Sequence, residues 1–73
     1  MIKNKEIAKE ISELMLTFGD KLDHSASIVR ESCPKEEFEN YRNAIAKILA
    51  EMLLEVMNPL YKEHPGIKPE QLK

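Results

Sequence analysis

Turned by 100° per residue, the helical step, the stretch from Phe38 to Met57 sorts into two apolar arcs instead of one. With Ile45 at zero, Phe38, Tyr41, Ile45, Ile48, Leu49, Met52 and Val56 fall within about 60° of one direction. Ala46, Ala50, Leu53 and Met57 lie roughly 80° to 140° further round, with Leu54 beyond them. Only a narrow polar stripe of Asn40, Asn43, Lys47, Glu51, Glu55 and Asn58 remains. A surface helix ordinarily carries one apolar stripe a little over ~100° wide. This one is nearly twice as broad and calls for two neighbours.

The first neighbour is in the same chain. Ile7, Ile11, Leu14, Phe18, Leu22, Ser25 and Val29 recur at intervals of four and three, one amphipathic helix face, from an N-cap at Asn4 to about Glu31. Gly19 sits inside the pattern with Ala8, Met15 and Ala26 at one border of that face, where small residues let a second helix come close. Ser32, Cys33 and Pro34 interrupt the helix. Pro34 suits the first position of a second helix, with Cys33 as its N-cap and Glu36, Glu37 and Glu39 at the positive end of its dipole. So short a connection makes the helices antiparallel. Centred between residues 33 and 34, the turn pairs residues whose numbers sum to about 67. Val29 then meets Phe38, Leu22 meets Ile45, Phe18 meets Leu49, Met15 meets Met52, Ile11 meets Val56 and Ile7 meets Leu60.

The second arc is left over. Each large apolar side chain is worth roughly 1.5 to 3 kcal/mol when fully buried. The expected solution is a two-fold dimer of hairpins, a four-helix bundle whose interface holds Ala46, Ile48, Ala50, Leu53, Leu54 and Met57. The fold expected is therefore all-α: an antiparallel two-helix hairpin, about 5–31 and 34–58, in one domain spanning 1–73. Pro59 should end or kink the second helix. Pro65, Gly66 and Pro69 make 59–73 a tail of turns, with a single helical turn at Pro69–Leu72, that packs on or across the bundle through Ile67 and Leu72.

Composition narrows the function more than it names one. Seventy-three residues make a domain whose core alone supplies about 3 to 5 kcal/mol, so association is expected on size as well. A mixed charged third with a formal net charge of -2 has no general attraction to nucleic acid or anionic lipid. Met1–Glu10 lacks the apolar core of a signal peptide, and Lys47, Glu51 and Glu55 interrupt the only long greasy stretch. With a single cysteine and no disulfide framework, the expectation is a soluble cytoplasmic protein that makes no membrane contact.

Candidate chemistry is sparse. Asp20, Asp23 and His24 share a helix face and could offer two carboxylates and an imidazole to a metal, but the periodicity turns them to solvent, and the chain has no inward Glu-x-x-His. Cys33 stands at a helix end, where thiols can be reactive, without a nearby histidine or a second cysteine to resolve it. His64 should lie near the start of the first helix. Met15, Met52 and Met57 read as adaptable core. Phosphate-cradling glycine loops, CxxC and HExxH are all absent from the sequence, so no catalytic, cofactor or metal residues are assigned.

In outline the hairpin dimer is similar to the small RNA-binding helical-hairpin dimers that regulate plasmid copy number, a likeness of fold. That resemblance implies nucleic-acid binding through a basic face, whereas Lys3, Lys5, Lys9, Arg30, Lys35, Arg42 and Lys47 are scattered among acids. The reading favoured by the residues is a non-enzymatic homodimeric interaction or regulatory module that binds another protein. The alternative is a nucleic-acid-binding hairpin dimer.

Overall fold

The computed structural model describes residues 1–70, and all the regular structure among them is helical. Helix α1 spans Lys5–Ser32. It starts where expected because Asn4 Oδ1 accepts the backbone N–H groups of Glu6 and Ile7 at 3.0 and 3.1 Å, satisfying two of the donors a helix start leaves open. Cys33, held extended before a proline, closes α1 by donating its N–H to the Val29 carbonyl at 2.9 Å. Cys33 is therefore not the N-cap of the next helix. Pro34 occupies that position, and its carbonyl accepts the Phe38 N–H at 3.1 Å as α2 (Lys35–Glu51) begins.

The second rod does not stop at Pro59. It widens into a π-helical segment, Met52–Met57, and continues as α3 (Asn58–Glu63). A proline ring collides with the carbonyl four residues back in an α-helix. Widening the turn just before Pro59 is a way to open that clash, and the Asn58 N–H accordingly reaches back five residues to Leu53. One extra residue in the turn sets the helix back by about one 100° step. Met57, expected on the second arc, is swung toward α1 and is only 7% exposed, with Leu60 and Tyr61 buried beside it.

The helix interface also departs from the expected pairing. The side of α1 that meets the second rod is Ala8, Ser12, Met15, Gly19, Leu22, Ala26 and Val29, all buried or half-buried and spaced four and three. Ile7, Leu14 and Phe18 stay 45%, 44% and 48% exposed. Relative to the expected face, α1 is rolled by roughly 70°. The cause is size: Ala8, Ser12, Gly19 and Ala26 permit a closer approach than a row of Ile, Leu and Phe, and close approach gains dispersion contacts along the whole seam. At Gly19 a β-carbon would stand 3.7 Å from Leu49 Cδ2, ordinary contact. Gly19→Ala should therefore stabilise the protein by about 0.5 to 1 kcal/mol, seen as a rise of a few degrees in the thermal midpoint by circular dichroism.

After Glu63 the chain turns at His64, makes one 3₁₀ turn at Pro65–Ile67 and runs back beside the first half of α1. The helical turn expected at Pro69–Leu72, and the docking of Leu72, extend past the described residues. The molecule measures 45 × 19 × 16 Å with a radius of gyration of 14.5 Å, against ~11 Å for a compact chain of this length. It is an elongated rod of two antiparallel helical segments with the tail along one side.

Candidate interaction surfaces

Two hydroxyl pairs fix the register of the hairpin. Ser25 Oγ donates to the Leu22 carbonyl at 2.6 Å, which commits its one proton, so the Tyr41 hydroxyl donates to Ser25 across the helices at 2.7 Å. Seven residues along each helix, two turns away, the same geometry repeats and sets Phe18 beside Ile48. Ile48 is 48% exposed, like Phe18, so the two helices together present an open apolar face. Leu14 and Ile7 extend it down α1, with half-buried Ile11 between them.

The six residues expected at a dimer interface do not form one surface. Met57 is inside the hairpin. Ile48 belongs to the face just described, while Leu53, 39% exposed, lies about 140° round the helix from it on the opposite side. Leu54, at 59%, points outward from the back of the rod, and Ala46 and Ala50 are exposed near it.

The side of α1 away from the Phe18 face is partly covered by the returning tail. A groove of about 410 Å³ runs between them, lined by Lys5, Lys9, Ser12, Glu13, Leu16, Gly66, Ile67 and Pro69. At its floor the buried hydroxyls of Ser12 and Tyr61 are 2.5 Å apart. His64 falls near the start of α1, as the register requires: its Nε2 donates to the Ile2 carbonyl at 2.6 Å. No buried side-chain polar atom among the described residues lacks a hydrogen-bond partner.

Asp20, Asp23 and His24 are all exposed, and no three His, Cys, Asp or Glu side chains among the described residues converge as a metal site would require. Cys33 is a half-buried free thiol in the turn. Arg42 lies over the Phe38 ring at 5.7 Å from its centroid, and the lysines and arginines named above are exposed. No helix among the described residues is long and apolar enough to cross a membrane. The Phe18 face was missed from sequence because its residues carry the strongest period. The signal that could have found it is the recurrence of Ser12, Gly19 and Ala26 every seven residues, a seam of small side chains beside the large ones.

The fold and its exposed side chains define an all-α helical hairpin with apolar surfaces on more than one side. No protein-family model, curated protein or solved structure matches the chain.

Proposed function

We propose that this chain is a non-enzymatic interaction module that works as a homodimer and binds another protein. The observation that carries the reading is surplus surface. The chain exposes 5505 Å², about 900 Å² more than the ~4600 Å² of a compact monomer of 8.4 kDa. That excess matches the ~800 Å² each partner contributes to a standard interface. Part of the exposed surface is apolar: Ile7, Leu14, Phe18, Ile28, Ile48, Leu53 and Leu54 are each more than a third exposed, and Ile7, Leu14, Phe18 and Ile48 lie on one side. Single exposed apolar residues are normal, but contiguous ones mark a binding surface.

The test is sedimentation of the full chain at micromolar concentration with thermal melts alongside. The expected result is a particle of twice the 8.4 kDa chain mass whose melting temperature rises with concentration. A cooperatively melting single chain at every concentration would remove the reading. Steeply salt-dependent retention of RNA or duplex DNA would instead favour a nucleic-acid partner.

A further inference from the structure

We infer that the second copy docks on the Phe18 face, through Ile7, Leu14, Phe18 and Ile48, and that the Leu53–Leu54 side lies outside the dimer. The inference rests on the homodimeric reading above and fixes which surface serves it. Three observations select a second copy as the occupant of this face. The first is shape: the tail returns along the other side of α1, so the Phe18 side of the 45 Å rod is left open along both helices, and stacking one rod on another there completes a four-helix bundle.

The second is area. The surplus over the whole rod, about 900 Å², is of the size one copy gives to a standard interface, and this face is the one to which both helices contribute half-exposed large side chains. The third is charge. A two-fold axis crossing the rod near Leu14 and Phe18 lays the two copies of α1 antiparallel, so that residues summing to about 32 meet. Leu14 then packs on Phe18 of the second copy. Glu10 and Lys21, at the outer rim of the same face, come opposite one another twice, by symmetry. Both are exposed, and neither makes an ion pair among the described residues. On the second rod Ile48 lies close to the same axis, flanked by Ala44, and exposed Glu51 at the outer rim comes opposite its own copy, one like-charge pair against the two Glu10–Lys21 pairs.

Five variants, sedimented beside the unmodified chain, decide the matter. Phe18→Glu should weaken the dimer at least about 100-fold, giving monomers at micromolar concentration, whereas Leu54→Glu should leave it unchanged. Because Phe18→Glu could act by unfolding, a charge-swap cycle on exposed positions accompanies it. Glu10→Lys and Lys21→Glu should each weaken the dimer about three- to tenfold, and the double swap should restore it to within about twofold. A monomeric unmodified chain defeats the homodimer itself. A dimer that Leu54→Glu dissociates, or whose swap effects are absent or simply add, keeps the homodimer and overturns this face.

Discussion

Leu60→Ala is expected to leave most of the protein unfolded at room temperature. Leu60 is the one large side chain among the described residues with no exposure; it lies in α3, packed against the π-helical segment, next to Tyr61, whose hydroxyl meets Ser12 of α1. Truncating a buried leucine removes transfer energy and leaves a cavity, together about 2 to 5 kcal/mol. A core of this size supplies about 3 to 5 kcal/mol in total. Urea titration followed at 222 nm should show the midpoint collapsing toward zero denaturant. Leu54→Ala, on the 59% exposed residue, should move the free energy by less than about 0.5 kcal/mol.

Tyr61→Phe has the next largest expected effect, about 1 to 3 kcal/mol of lost stability. The ring would still fill its space, so the cost falls on the hydroxyl left behind. Ser12 is only 3% exposed and loses its Tyr61 partner where little water can replace it. Ser12→Ala should cost a similar amount by stranding the tyrosine. Removing both partners should cost less than the sum of the two, because no polar group is then orphaned. Chemical denaturation of the four proteins at fixed concentration measures the difference. Strict additivity would mean the pair contributes nothing as a pair.

How far the architecture could be read from residues depended on which physical term governed each element. The start of α1 was legible because an asparagine side chain satisfies local N–H groups wherever it stands. The register was legible because a short turn leaves little freedom: Ser25 with Tyr41 and Ile2 with His64 both sum to 66, and Gly19 with Leu49 to 68, near the expected 67. Register failed at Ser12 with Tyr61, which sum to 73. Two causes add there. The π-helical segment has taken up extra chain, and a helical side chain leans toward its own N-terminus, which in an antiparallel pair carries the tyrosine hydroxyl up along α1.

The roll of α1 was illegible for a different reason. Hydrophobic periodicity weights a position by the size of its side chain, so Ile7, Leu14 and Phe18 dominated the pattern. Packing distance is set by the smallest residues, and Ala8, Ser12, Gly19 and Ala26 won. The same weighting shaped the interface expected from sequence: with α1 rolled and Met57 turned inward, a further unpartnered apolar side appears that both helices build, while Leu53 and Leu54 stay exposed on the back of the second rod.

The places where this hairpin is held most firmly are the places its chain reaches last. Ser12 and Tyr61 are 49 residues apart in sequence, and Ile2 and His64 are 62 apart. Fully covered Ala8 and Leu60 lie in the same region, while the connecting turn holds no buried residue. A chain that begins to zip at Cys33 and Pro34 therefore loses the conformational entropy of nearly all its residues before most of the return arrives. Half-zipped forms gain little. Such a molecule folds in one step or not at all, and amide exchange should find its slowest protons beside the two termini.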